Sequence, residues 1–119
     1  MEAMQVVLND EAIFQRYCET HADLRIERSA AGKIRILPPG DWTTSVRNVE
    51  ILFQLHGWTK RDGRGKGFDP SLMYLLPNGA AMCAHASWVL RSRLARLTAA
   101  QKRGFPPLCP DFVVELRSP

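Results

Sequence analysis

Glu115, near the end of the chain, is an acidic residue that directly follows an apolar run and could take part in chemistry. The run predicts a central, buried strand from Asp111 to Arg117. Side chains alternate along a strand, so Asp111, Glu115 and Arg117 would share one face. A carboxylate on a buried strand needs a partner, and a metal ion or a basic neighbour such as Arg117 would serve. Asp111 follows a proline, and local backbone hydrogen bonding at the start of the strand explains an aspartate there as well as a role in the site does.

Zinc binding is a second kind of chemistry, for which Cys83, His85 and Cys109 are the candidates. Structural zinc usually has four ligands, commonly with a closely spaced pair of cysteines. A Cys-x-His pair with one distant cysteine does not meet that pattern. The three cysteines of the chain are odd in number and widely spaced, which is typical of reduced thiols.

Phosphate binding is a third possibility, because the segment from Lys60 to Lys66 predicts an exposed basic loop. The formal net charge of +4 permits binding to a polyanion without requiring it. No aromatic residues interleave with the basic ones, so a solvated surface explains the loop as well. The candidates for DNA contact in this loop are Lys60, Arg61, Arg64 and Lys66.

Two helices and a hairpin are predicted in the first half of the chain. Asn9 is a good N-cap for a first helix. Residues 23–37 alternate apolar and polar side chains around Ala31-Gly32, which predicts a hairpin. From Thr43 to Trp58 the apolar residues occupy two helical faces, so we expect a largely buried helix.

Further strands are predicted in the second half. Two of them, Phe68 to Leu76 and Ala81 to Leu90, flank an Asn78-Gly79 pair that suits a tight turn. Thr98 to Gln101 matches a capping box, which starts a helical turn that Gly104 ends.

Length and composition predict one globular domain spanning residues 1–119. Hydrophobic residues make up 45% of the chain and charged residues 24%, close to the averages for globular proteins. No apolar stretch approaches the roughly 20 residues that span a bilayer. The N-terminus lacks the pattern of a secretory signal. We therefore expect a cytoplasmic protein without a membrane partner.

Four segments carry a resemblance to a known family. They are "DLRIERSAAGKIRILPPG", "RNVEILFQLHGW", "FDPSLMYLLPNGAAMCAHASWV" and "LTAAQKRGFPPLCPDFVVELRSP". Their pattern is similar to that of the Uma-type family of restriction endonucleases, in the PD-(D/E)XK nuclease superfamily. The resemblance covers nearly the whole chain, from the first helix to Pro119.

The resemblance implies an α/β fold, a restriction-endonuclease-like core with a mixed sheet flanked by helices. In such a core, carboxylates on two neighbouring strands hold Mg²⁺ or Mn²⁺ beside the scissile phosphate of DNA. Glu115 matches the second of these acidic positions. Glu50, on the long helix, is a weaker candidate for an additional acid, and an ion pair with Arg47 three residues earlier explains it as well.

The sequence departs from the family pattern in two places. Where the family usually has Ser-Pro-Asp, this chain has Cys83-Ala84-His85, so the metal-binding Asp is replaced by His85. Imidazole is a poorer ligand than carboxylate for Mg²⁺. The chain also ends at Pro119, before the family's Lys-bearing helix and last strand. Arg117 stands where the E-x-K motif has Lys. Arginine cannot act as a base at neutral pH, so Arg117 could only stabilise charge, as a candidate for DNA contact.

We therefore expect a nuclease-family protein that does not cut DNA. Two alternatives stay open: a DNA-binding remnant that uses its basic groups alone, and a gene fragment without activity. Loss of the family's last strand would expose a sheet edge, through which two copies could pair.

Overall fold

The computed structural model describes residues 10–116, which form four helices and seven strands. The helices are α1 (Glu11–Thr20), α2 (Trp42–Asp62), α3 (Arg91–Leu94) and α4 (Ala99–Arg103). The strands are β1 (Arg25–Arg28), β2 (Ile34–Leu37), β3 (Gly65–Phe68), β4 (Tyr74–Leu75), β5 (Ala81–Met82), β6 (Ala86–Leu90) and β7 (Phe112–Val114). The predicted α/β class, with helices beside β structure, is confirmed.

The strands form two sheets, and every strand pair among the described residues is antiparallel. The first sheet has the order β2-β1-β5-β4, and the second sheet has the order β3-β6-β7. The predicted hairpin is confirmed as β1 and β2, and Gly32 in its turn has a positive φ of 85°. Glycine adopts that conformation without the steric cost that a side chain would add.

A long interrupted hairpin joins the two sheets. On one side β3 leads to β4, and on the other β5 leads to β6, with Gly79 in the turn at φ 91°. The predicted strands around Asn78-Gly79 are therefore present, but each is broken into two. Pro70 lacks the N–H that a ladder needs, and the Asp69 side chain accepts a hydrogen bond from the Ser71 N–H, which forms a turn. The opposite break contains His85.

Helix α1 is fixed to the first sheet by one aromatic ring and one buried cation. Phe14 is fully buried against Ile26 and Ala81. Arg28 lies over the Phe14 ring at 4.5 Å, forms an ion pair with Glu11 and donates to the Gly79 carbonyl at 3.0 Å. These contacts tie the helix, the hairpin and the turn of the second hairpin together.

The first helix begins one residue later than predicted. Its N-cap is Asp10, whose carboxylate accepts a hydrogen bond from the Ile13 N–H at 3.1 Å. Asn9 lies outside the described residues. Near the other end of the chain the predicted capping box is confirmed, because Thr98 and Gln101 exchange hydrogen bonds between side chain and backbone at the start of α4.

The prediction that the long helix is largely buried is wrong. One face of α2 lies against the second sheet, where Trp58 meets Trp88 with ring centroids 5.3 Å apart. The opposite face, which includes Val46 and Phe53, is exposed to solvent. Periodicity showed that both faces are apolar, but only one of them has a neighbour within the described chain.

The prediction of a central, buried strand at residues 111–117 is also wrong. Strand β7 is three residues long and lies at an edge of the second sheet, where it pairs with β6 alone among the described strands. Phe112 and Val113 are about half exposed. An apolar run indicates a strand, but it does not reveal how many neighbours that strand has.

Candidate functional site

His85 and Glu115 meet where the two sheets join. His85 immediately precedes β6, and Glu115 immediately follows β7. These strands run antiparallel with Ala86 opposite Val114. The residue before Ala86 and the residue after Val114 therefore lie at the same end of the ladder. The His85 Nδ1 atom lies 3.1 Å from the Glu115 Oε2 atom. The structure therefore brings together the two positions that the sequence resemblance singled out.

The same ring nitrogen has a second neighbour. The Leu116 N–H donates to His85 Nδ1, also at 3.1 Å. Nδ1 can either carry a proton and donate it to Glu115, or offer its lone pair to the Leu116 N–H. Only one of these hydrogen bonds exists in a given tautomer. In both tautomers Nδ1 is engaged within the protein.

The pair opens into a cleft of about 600 Å³ between the first sheet and the start of α2. Two arginines of the hairpin, Arg25 and Arg35, line this cleft, as does Glu27. From α2, Asn48 lines the opposite side, and its Oδ1 atom is buried without a hydrogen-bond partner among the described residues. The cleft therefore combines the exposed carboxylates of Glu115 and Asp41 with cationic and amide groups.

Glu27 is a cleft residue that reasoning from the sequence missed. It is only 8% exposed, and its Oε2 atom accepts a hydrogen bond from the Cys83 N–H at 2.8 Å. This bond fixes the segment that carries His85. Burial raises the pKa of the Cys83 thiol to about 11, and the nearby charge of Glu27 adds to that shift. The signal in the sequence was an acidic residue directly after Ile26 within the alternating hairpin pattern.

The side chains present do not fit the Mg²⁺ or Mn²⁺ ion that the resemblance implies. Mg²⁺ demands a near-octahedral set of oxygen ligands, commonly carboxylates with water. At this site Glu115 and Asp41 are the exposed carboxylates, and Asp41 caps α2 by accepting a hydrogen bond from the Thr44 N–H at 2.7 Å. Glu27 is buried on a backbone amide, and His85 contributes nitrogen. Within residues 10–116 no cluster of three or more His, Cys, Asp or Glu side chains is arranged to hold a metal. The candidate zinc ligands Cys83, His85 and Cys109 accordingly form no such cluster either.

The weaker acidic candidates lie elsewhere. Glu50 is exposed on α2 and accepts a hydrogen bond from Gln54 at 3.0 Å, and no ion pair within the described part of the chain joins it to Arg47. Asp111 accepts a hydrogen bond from the Leu90 N–H at 2.9 Å and pairs with Arg93. These contacts lower the pKa of Asp111, the backbone hydrogen bond most of all. Asp111 thus fastens β7 to the end of β6.

The predicted basic loop is divided between two elements. Lys60 and Arg61 belong to the last turn of α2, and Lys66 belongs to β3. Arg64 lies between them and pairs with Asp62 at 2.9 Å. The four side chains of the predicted loop are exposed, and Arg117 lies outside the described residues.

Comparison with known proteins identifies one family. The sequence profile of Uma2, described as a putative restriction endonuclease family, matches residues 12–119. No curated protein matches the chain. No helix in the described range 10–116 has the length and apolar character needed to cross a bilayer.

Proposed function

Because the chain belongs to the Uma2 family of putative restriction endonucleases, we propose that it keeps a nuclease scaffold but does not hydrolyse DNA with Mg²⁺. The observation that carries this proposal is the 3.1 Å contact between His85 Nδ1 and Glu115 Oε2. In a site with two carboxylates, a divalent cation would offset the repulsion between them. Here an imidazole with a protonated Nδ1 donates to Glu115 directly, and it stands where a hard oxygen ligand would be needed.

The remaining groups of the cleft suit binding better than cleavage. Arg25 and Arg35 could hold a phosphate by charge-assisted hydrogen bonds. Glu115 and His85 hold each other, so neither is held ready to activate water at a bound phosphate. We also propose that the protein acts in the cytoplasm.

A plasmid-nicking assay in Mg²⁺ and in Mn²⁺ tests the loss of hydrolysis. We expect the wild-type chain to cut no faster than Glu115→Ala. His85→Asp should restore a second carboxylate and increase Mn²⁺ binding, measured by electron paramagnetic resonance, by at least ~10-fold. His56→Asp makes the same change of residue type on α2, in a different cavity, and should leave Mn²⁺ binding unchanged. Mg²⁺-dependent cutting by the wild type that Glu115→Ala abolishes would overturn the proposal.

Binding to DNA without cutting is a second candidate function, supported by the arginines of the cleft and by the exposed basic residues after α2. Phosphate contacts make affinity fall steeply with ionic strength. Fluorescence anisotropy with a labelled duplex should show this fall, and Arg35→Ala should weaken binding by ~3-fold to ~10-fold at low salt. Lys33→Ala, in the hairpin turn, is the matched control. Absent or salt-insensitive binding would exclude this function.

A further inference from the structure

The outer face of α2 carries four exposed apolar side chains that no described residue covers. The exposed fractions are 86% for Trp42, 57% for Val46, 66% for Val49 and 73% for Phe53. We call these four residues the outer stripe. Their spacings of four, three and four residues place them along one line of the helix, which is the spacing of an apolar seam between two packed helices.

The outer stripe is symmetric in size, since it runs large, small, small, large along the helix. If a second copy of α2 lies antiparallel across it, Trp42 faces Phe53 of the other copy and Val46 faces Val49. Trp42 of each copy then contacts Phe53 of the other, and Val46 of each copy contacts Val49 of the other, which is the reciprocity that an isologous twofold interface requires.

Charge favours the antiparallel arrangement over the parallel one. The last turn of α2 carries Lys60 and Arg61. A parallel pair would bring two of these basic ends together and align the two helix dipoles, whereas an antiparallel pair separates the basic ends and opposes the dipoles.

The area is sufficient for a specific but modest dimer. Trp42 and Phe53 are 86% and 73% exposed, so together they present roughly 300 Å² if an aromatic side chain offers about 200 Å². With the two valines, a pair of copies would bury on the order of 1,000 Å², which is where specific interfaces begin. Strand β7, the alternative edge, offers only three residues.

We propose that two copies of this chain associate through the outer stripes of their α2 helices, packed antiparallel about a twofold axis between Val46 and Val49. The start of α2 also lines the cleft that contains His85 and Glu115. The dimer would therefore hold two clefts on one rigid pair of helices. The proposal does not depend on whether the chain cuts DNA.

Sedimentation velocity at micromolar to submillimolar concentration tests the association. We expect the wild type to approach twice the chain mass of 13.4 kDa as concentration rises. Val46→Glu should weaken the dimer at least ~100-fold, about tenfold for each copy of the substituted residue. Glutamate is a better helix former than valine, so α2 should persist, and far-UV circular dichroism will verify it.

Two matched variants identify the surface. Ile36, on β2, has the same 57% exposed fraction as Val46, and Ile36→Glu should leave the dimer intact. Val113→Glu disrupts the sheet edge instead and should also leave it intact. A monomeric wild type would overturn the proposal, as would a dimer that Val113→Glu dissociates and Val46→Glu does not.

A double substitution tests the antiparallel register. In the chain that combines Val46→Glu with Val49→Lys, each glutamate faces a lysine of the other copy only if the helices run antiparallel. The double variant should then dimerise at least ~10-fold more tightly than either single variant. In a parallel pair, like charges would meet at both positions, so a double variant that stays monomeric would contradict the proposed register.

Discussion

The first sheet and the second sheet differ in how completely their apolar surfaces are covered. On the first, α1 places Phe14 in a fully buried position, and Arg28 ties that helix to β1 and to the turn at Gly79. On the second, α2 covers one face through Trp58, but the outer stripe and strand β7 are exposed. Buried apolar surface is the main source of stability in folded chains, so fully buried positions such as Phe14 should contribute more stability than β7 and the outer stripe.

The candidate site lies beside the exposed edge of the second sheet. Glu115 follows the exposed edge strand, and the segment holding His85 is anchored from the first sheet by buried Glu27. Binding groups are commonly placed on less stable segments that a rigid scaffold positions. The buried positions thus stabilise the fold, while the exposed edge leaves the candidate site accessible to solvent. Three substitutions test this difference.

The largest expected loss of stability is for Phe14→Ala. The substitution removes a fully buried ring that packs edge-on to Phe105, with centroids 6.2 Å apart, and leaves a cavity. We expect the free energy of unfolding to fall by about 3–5 kcal/mol, measured by urea denaturation. Ile13→Ala, the exposed neighbour on α1, should cost less than ~1 kcal/mol. Equal losses for the two variants would mean that α1 does not anchor the first sheet.

The second sheet should be most sensitive at Gly65. A Cβ atom there would overlap the Trp88 ring and stand 2.5 Å from the Val89 carbonyl oxygen. Gly65→Ala should therefore destabilise the chain by about 1–3 kcal/mol, because the tryptophan must move.

Gly67 is the matched control for this substitution, because it lies two residues further along the same strand. Its Cβ would be 3.7 Å from the nearest side-chain atom, in Leu55. Thermal unfolding of Gly67→Ala should show no loss of stability, because the site has room for the Cβ atom and alanine restricts the unfolded chain. If Gly65→Ala were as stable as Gly67→Ala, the close packing of Trp88 on β3 would be refuted.

The sequence predicted those elements that depend on near neighbours in the chain. The Thr98 capping box, the Gly79 turn and the hairpin around Gly32 all follow from a few consecutive residues, and the structure confirms them. The burial of α2 and the position of β7 in its sheet depend on which distant elements lie beside them. Apolar periodicity contains no information about such neighbours, and both predictions were wrong.

The candidate site was predicted in part, for the same reason. The resemblance identified positions 85 and 115, which the structure places 3.1 Å apart. It gave no reason to examine Glu27, whose role follows from a hydrogen bond to Cys83 that spans 56 residues of sequence.

The smallest expected effect lies at the junction between the sheets, where the Tyr74 hydroxyl on β4 and the Ser87 hydroxyl on β6 are 2.6 Å apart. The Tyr74 phenol is protonated at neutral pH and can donate to Ser87, and burial raises its pKa further. Tyr74→Phe should cost about 1 kcal/mol in urea denaturation, because it leaves the buried Ser87 hydroxyl without this partner. Combining it with Ser87→Ala removes both polar groups and should cost less than the two single losses added together. Strictly additive losses would show that this hydrogen bond does not couple the first sheet to the second.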